Sequence, residues 1–294
     1  MAMSVIMYDS LTQLTPEDQE LMQRSALATV LYADGTLLIS VSEHSLQRLL
    51  HAVATTGARF GMQLHWGKFQ LLNVRCDMKV CTEAGEPIAA KDTMGYLGAT
   101  LSADGRVDTE LSRRIGAAWA EFRKLDRLWK HTTLPAARKL SVFQAIVAPG
   151  LLYSLSTTWL NMSQQRRLNG FQARCLRRIL RVKPSFVSRV SNERVRQMAG
   201  HREFTQQLLS QQLLLFGRVA RAPDTDMLRE LTFVPGTLDL AASRYIRKRG
   251  RPRLEWASCL TRVASNITSA NETLSSAVSD GKRWRQRVHQ YCNG

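Results

Sequence analysis

The sequence has few cysteines, and those it has are scattered. None of the five stands in a Cys-x-x-Cys pair, which argues against a zinc site, and their odd number fits free thiols in a reducing compartment. No apolar run is long enough to span a bilayer, and the first residues lack the basic segment of a signal peptide. Patterns typical of serine, cysteine or aspartic hydrolases, glycine-rich phosphate loops and dinucleotide fingerprints are also missing. These absences predict an intracellular protein, nuclear or cytoplasmic, with no membrane partner.

Acidic residues are scarce in the last two-thirds of the chain. Residues 1–100 contain 7 Lys and Arg against 10 Asp and Glu, whereas residues 101–294 contain 34 against 14. The net charge of +17 is therefore concentrated after residue 100. A field of this size attracts polyanions, and the excess of Arg over Lys favours fork-shaped phosphate contacts. The predicted partner is RNA, DNA or both; a solvated basic surface or a targeting signal is the alternative.

One stretch, residues 27–41, places an acidic tip between two apolar runs. The tip is Asp34-Gly35, and such a pair between apolar runs is the strongest short-range signal for a β-hairpin, because it accepts the positive φ angles of a two-residue turn. We expect the Asp34 carboxylate at an exposed tip, with the strands buried below. An ordinary Asp-Gly hairpin that binds no metal is the alternative interpretation.

The tip sequence Tyr32-Ala33-Asp34-Gly35 resembles the Tyr-x-Asp-Asp hairpin of reverse transcriptases, and its flanks are closest to the non-LTR (LINE-type) enzymes of retrotransposons. Two later segments are similar to the same family in the same order. One matches a Gly-x-x-x-Asn-x-x-Lys strand at Gly61 and Lys68, with His65 in place of Asn; the other, Tyr96, Leu97 and Gly98, resembles the primer-grip hairpin.

This resemblance implies an RNA-directed DNA polymerase site that is incomplete. The family binds Mg²⁺ with three carboxylates, of which Asp34 is the residual one, and its conserved Lys, here Lys68, lies near the incoming nucleotide. Gly35 replaces the second Asp of the hairpin, and we expect no room before the hairpin for the strand that carries the first. We therefore expect at best weak Mg²⁺ binding at Asp34, no stably bound cofactor, and no polymerase activity from this chain alone.

The predicted fold class is α+β, a partial antiparallel palm followed by helices. A helix begun by Thr15-Pro16 is predicted before the palm, and the palm contains a helix capped by Ser42 that Gly57 and Gly61 interrupt. Strands are predicted over 62–74, 78–81 and 86–90. The exposed edge of the palm is expected to favour self-association. The predicted segments are an N-terminal segment at 1–26, the partial palm at 27–105, thumb-like helices at 106–160 that Pro149-Gly150 interrupts, and a basic helical C-terminal region at 161–294.

Residues 163–182 are the clearest basic amphipathic helix. Apolar residues recur on one face, and arginines at spacings of seven, four and three share another. Like charges this close repel one another, and a polyanion would relieve the repulsion. The predicted nucleic-acid contacts here are Arg166, Arg167, Arg174, Arg177, Arg178 and Arg181; a solvated face is the alternative.

A second basic segment, residues 244–253, contains Gly250 and Pro252, which exclude a continuous helix. An extended basic loop of this kind can lie along a phosphate backbone, or it can be a nuclear-import signal. The predicted nucleic-acid contacts are Arg247, Lys248, Arg249, Arg251 and Arg253.

Two functions fit the sequence. One is a remnant of a retrotransposon reverse transcriptase that binds nucleic acid without copying it. The other is a recruited, non-enzymatic protein that binds RNA, DNA or an acidic partner through its basic helices. A weaker third reading is an active enzyme whose upstream half comes from another chain, and Gly35 argues against it.

Overall fold

A computed structural model describes residues 2–33, 35–131, 133–241, 255–269 and 272–293. These residues combine many helices with two small antiparallel sheets, so the predicted α+β class is confirmed. They form two compact units, residues 1–106 (unit 1) and residues 107–294 (unit 2). The roles of palm, thumb and basic region assigned to the predicted segments stay predictions.

Unit 1 contains three helices and two hairpins among its described residues. The elements are α1 (Ala2–Thr12), α2 (Pro16–Gln23), β1 (Leu27–Tyr32), β2 (Gly35–Ser40), α3 (Glu43–Arg59), β3 (Thr93–Tyr96) and β4 (Ala99–Ser102). The first helix lies in a segment whose pattern was too weak to predict one. The core of unit 1 is a small buried cluster to which α1, β1 and α3 contribute.

The predicted caps of the second and third helices are confirmed. The Thr15 hydroxyl accepts a hydrogen bond from the Asp18 amide at 3.3 Å, and Pro16 begins α2. The Ser42 hydroxyl accepts one from the Ser45 amide, also at 3.3 Å. The prediction that Gly57 interrupts this helix was wrong, because α3 runs through it to Arg59.

The hairpin over 27–41 is confirmed, but its strands are buried only at the base. Leu27 pairs with Ser40, and Tyr32 pairs with Gly35. Gly35 is therefore a strand residue rather than part of the turn, and the positive φ of 55° belongs to Ala33. The side chain of Tyr32 is 65% exposed, so burial falls away toward the tip. Asp34 lies outside the described residues.

The predicted strand over 62–74 was wrong. The segment is irregular, with a single 3₁₀ turn at Trp66–Lys68 and one isolated bridge from Leu71 to Ala90. Gln63, His65 and Gly67 break the apolar alternation that a strand needs. The next pair, 78–81 and 86–90, is reduced to a bridge between Cys81 and Pro87.

In the described residues, unit 2 is mostly helical. Its helices are α4 (Asp108–Lys124), α5 (Asp126–Lys130), α6 (Ala136–Val142), α7 (Ala148–Leu152), α8 (Met162–Ile179), α9 (Ser185–Ser188), α10 (Asn192–Ala199), α11 (Phe204–Arg221), α12 (Met227–Thr232), α13 (Trp256–Ile267), α14 (Leu274–Ser279) and α15 (Gly281–Asn293).

Pro149-Gly150 does not end a helix, contrary to the prediction. A π-helical turn, Phe143–Val147, joins α6 to α7, and the Ala148 amide donates to the carbonyl of Phe143, five residues back. Pro149 follows this turn as the second residue of α7.

Unit 2 has a large aromatic core. Phe122 stacks on Trp129 with ring centroids 4.9 Å apart, and Phe143 stacks on Phe204 at 5.8 Å. Phe171 from α8 belongs to the same buried cluster, so the helices before residue 160 and those after it share one core. A second cluster forms around Trp284, where α11, α13 and α15 meet. Within the described ranges, no helix combines the length and apolar character needed to cross a membrane.

Candidate nucleic-acid interface

The basic amphipathic helix predicted over 163–182 corresponds to α8, Met162–Ile179. A capping box begins it, because the Gln164 amide donates to Asn161 Oδ1 at 3.0 Å and the Asn161 amide donates to Gln164 Oε1 at 2.8 Å. The predicted apolar stripe is buried, and this fixes which face of the helix points outward. The stripe consists of Leu168, Phe171, Cys175, Leu176 and Ile179.

Four exposed arginines lie where α8 and its C-terminal extension run beside α4 and α5. We call Arg167, Arg174, Arg178 and Arg181 the arginine row. Arg167 Nη2 donates to the Ser112 hydroxyl at 2.7 Å, and the Arg174 guanidinium lies 5.4 Å from the ring centroid of Trp119.

The other two arginines of the row contact α5. Arg178 forms an ion pair with Asp126, and Arg181 Nη2 donates to the carbonyl of Lys130 at 3.0 Å. Arg181 stands beyond the end of α8 with a φ of 57°, so the row continues past the helix. The structure therefore brings four of the six arginines predicted here onto a common seam.

Carboxylates compensate only part of this charge. Asp126 lies between Lys130 and Arg178, and hydrogen bonds first from Lys130 and then from Arg178 lower its pKa. Asp108 lies 3.9 Å from Arg167. The Arg167 and Arg178 side chains remain 42% and 49% exposed. Exposed pairs of this kind contribute little stability, so these guanidinium groups can exchange a carboxylate for a phosphate.

The two other arginines of the helix have different surroundings. Arg166 is exposed, as the arginines of the row are. Arg177 is buried, and its guanidinium donates to the carbonyls of Lys183 at 2.9 Å and Val190 at 2.6 Å, and to Asn192 Oδ1 at 3.0 Å. These partners occupy the fork of Arg177 inside the protein, so Arg177 holds a loop in place rather than facing a phosphate.

The palm-like residues of unit 1 are only partly brought together. Tyr96 ends β3, and Leu97 and Gly98 form the turn to β4 with φ angles of 47° and 73°. The Tyr96 hydroxyl donates to the carbonyl of Val30 on β1 at 3.4 Å, which connects the primer-grip-like hairpin to the strand that leads to Asp34. Lys68 is exposed at the end of the 3₁₀ turn.

The described residues at the hairpin tip do not form a Mg²⁺ site. Ala33 and Gly35 carry no carboxylate, and among the described residues no group of three or more His, Cys, Asp and Glu side chains could hold a metal ion. Weak metal binding at Asp34 stays a prediction, because that residue lies outside the described ranges. The second basic segment also lies outside the described ranges, and its predicted nucleic-acid contacts stay predictions. These contacts are Arg247, Lys248, Arg249, Arg251 and Arg253.

Sequence reasoning did not find the partners of the arginine row. Ser112 and Trp119 stand seven residues apart on α4, and Arg167 and Arg174, which contact them, stand seven apart on α8. This matched spacing is two helical turns, and since both pairs increase in the same order, α4 and α8 run in the same direction along the seam.

No protein-family model and no solved structure matches the chain. The chain is similar to a Caenorhabditis elegans protein described as an uncharacterized transposon-derived protein. The two sequences are 23% identical over 268 residues, which cover 88% of this chain and 94% of the worm protein. This similarity supports a link to transposon-derived proteins and carries no assignment to a reverse transcriptase.

Proposed function

We propose that this chain derives from the reverse transcriptase of a non-LTR retrotransposon and binds RNA or DNA without copying it. The observation that carries the binding proposal is the arginine row, exposed along one seam of unit 2. The origin is supported by the similarity to a transposon-derived protein and by the motifs around Asp34, Lys68 and Tyr96.

The row has a length that suits a nucleic-acid strand. Arg167 and Arg178 are eleven positions apart on α8, which corresponds to about 16 Å along the helix axis. A strand with the duplex rise of about 3.4 Å per nucleotide would pass roughly five phosphates over that distance, and a more extended single strand would pass fewer. Arginine forks bind phosphate oxygens in pairs, so several contacts can form at once.

The charge around the row determines how the affinity for nucleic acid should depend on salt and on sequence. In the part of the chain that the structure describes, Asp108 pairs with Arg167, and Asp126 pairs with both Lys130 and Arg178. Phosphate contacts release counterions, so affinity should fall steeply with salt and depend little on sequence.

The test compares two variants of the full chain that remove the same charge. The first changes Arg167, Arg174 and Arg181 to Gln. The matched control changes Arg218, Arg283 and Arg285, which are exposed on α11 and α15, to Gln. Fluorescence anisotropy with a labelled RNA and the DNA of the same sequence gives the dissociation constant across a series of salt concentrations.

We expect the row variant to reduce the log–log salt slope by about two, since each lost phosphate contact contributes about 0.7 on single strands and 0.9 on duplexes. The control should change the slope by less than about one. Equal losses in the two variants would mean that only net charge matters, and a wild-type slope near zero would reject phosphate binding altogether.

A further inference from the structure

A phenylalanine that follows the arginine row in the sequence is almost fully exposed to solvent. Phe186 is 80% exposed, the highest exposure among the large apolar side chains of the described residues. It lies on the single-turn helix α9, five residues after Arg181. Its neighbour Val187 is 52% exposed, so the apolar surface is centred on the ring.

The loop that presents Phe186 is firmly held at both ends. The buried guanidinium of Arg177 donates to the carbonyl of Lys183, where the loop begins, and to that of Val190, where it ends. Val182 and Val190 pack against the large core of unit 2. The ring is therefore carried on an anchored support, and its exposure is a property of the folded chain.

Hydrogen bonds within the loop fix its shape as well. The Ser188 hydroxyl donates to the carbonyl of Lys183 at 3.0 Å, and the Arg189 amide donates to the carbonyl of Ser185 at 2.9 Å. A support that is already ordered loses little conformational entropy when a ligand binds to it.

Cationic residues flank Phe186 in the sequence. Arg181 and Lys183 precede it and Arg189 follows it, and all three are exposed. An apolar protein partner would gain from the ring but would have to desolvate these charges. A nucleic-acid strand offers both matching features, because its phosphates are anionic and its bases have flat apolar faces.

We propose that Phe186 stacks on an unpaired base of a single strand whose phosphates follow the arginine row. This inference rests on the proposed nucleic-acid binding and narrows its ligand to single-stranded RNA or DNA. Bases inside a duplex are covered by their neighbours, so the ring has a base face to contact only where a strand is unpaired. Stacking on an aromatic side chain is tolerant of sequence, in keeping with contacts made mainly to phosphates.

The experiment uses the full chain and labelled strands of about 12 nucleotides, within the range of single-strand sites, as RNA, as DNA and as a DNA duplex. The variants are Phe186→Ala, Phe186→Trp and, as a matched exposed aromatic of unit 1, Tyr8→Ala; Tyr8 is 70% exposed. We expect Phe186→Ala to weaken single-strand binding about tenfold, the loss of about one base stack, and duplex binding less than twofold. Phe186→Trp should restore single-strand binding, and Tyr8→Ala should bind like the wild type.

A strand of the same length that is abasic throughout removes the stacked base in every binding register. The wild type should bind this abasic strand about as weakly as Phe186→Ala does, so that the alanine change costs nothing more on it. Wild-type binding that is steeply salt-dependent but unaffected by Phe186→Ala would overturn the stacking proposal and leave the proposed function standing. Equal losses on single strands and duplexes would also overturn it. Absence of any wild-type binding would reject both.

Discussion

The guanidinium of Arg48 donates two hydrogen bonds to the carboxylate of Asp18, at 2.7 Å and 2.6 Å. Asp18 is fully buried in the first turn of α2, where its carboxylate also accepts from the Thr15 hydroxyl at 2.8 Å. Arg48 comes from α3, so this pair joins α2 to α3 within unit 1. The hydrogen bonds from Arg48 hold the pKa of the Asp18 carboxyl well below its usual range.

Replacing Asp18 by Asn should destabilise unit 1, because Arg48 keeps its charge and loses its fork partner. We expect the free energy of unfolding to fall by about 2 kcal/mol, the usual cost of a hydrogen bond to a charged group. Urea unfolding followed by circular dichroism measures it. The control is Glu20→Gln on the same helix, where an exposed pair with Arg24 should contribute less than about 0.5 kcal/mol. Equal effects of the two changes would contradict the role given to Asp18.

The same carboxylate predicts a dependence of stability on pH. The pKa of Asp18 is lower in the folded chain than in the unfolded chain, so its contribution is complete above about pH 4, the ordinary Asp pKa. It is lost as the pH falls from there toward the folded pKa. The difference in free energy of unfolding between the wild type and Asp18→Asn should therefore shrink on acidification. Parallel urea midpoints for the two proteins from pH 6 down to about pH 3 would refute this linkage.

Arg177 should matter for stability and not for phosphate contact. Arg177→Lys cannot reproduce the fork that reaches the carbonyls of Lys183 and Val190, and we expect it to lower the free energy of unfolding by about 2 kcal/mol. The salt slope of nucleic-acid binding should stay within about 0.5 of the wild-type value. Arg166→Lys, at an exposed position on the same helix, serves as the matched control and should leave stability unchanged. A slope lowered by about one with unchanged stability would place Arg177 at the interface instead.

The chain of residues 1–294 should not extend a primed RNA template with Mg²⁺ or Mn²⁺. Gly35 supplies no carboxylate beside Asp34, and loss of one such electrostatic group typically lowers a rate by a hundredfold or more. Gly35→Asp tests the point, since a Cβ at this position would lie 3.2 Å from the carbonyl oxygen of Tyr32 and needs only a small shift. Labelled primers resolved on a denaturing gel give the result. Extension by the wild type would contradict this prediction, and extension by Gly35→Asp alone would assign the defect to the missing carboxylate.

Local signals predicted much of the fold. Thr15 and Ser42 were recognisable caps because their side chains satisfy free amides of the first turn, a purely local task. The stripe from Leu168 to Ile179 was recognisable because a helix buries residues at a fixed period. The continuation of the helix through Pro149 could not be predicted, because it depends on a π-helical turn that has no recognisable residue pattern.

The candidate site was predictable as a set of residue types but not as contacts. Arg174, on the basic face of α8, and Arg177, which flanks that face, were both predicted to contact nucleic acid. Arg174 lies over Trp119, whereas Arg177 is buried against a loop. Their difference arises from which neighbour packs beside each position. Phe186 was not singled out because one aromatic residue in a short polar segment has no periodic pattern.

The five cysteines of the chain are all free thiols, and their exposure to solvent differs between the two units. Cys76 is exposed in unit 1, whereas Cys175, Cys259 and Cys292 are buried in unit 2. Burial raises the pKa of the Cys175 thiol, which leaves almost no thiolate to react while α8 stays packed. A single alkylating reagent consequently reports on two processes. The rate of Cys76 modification measures the reactivity of an exposed thiol in the folded chain, and the rate of Cys175 modification measures how often unit 2 opens.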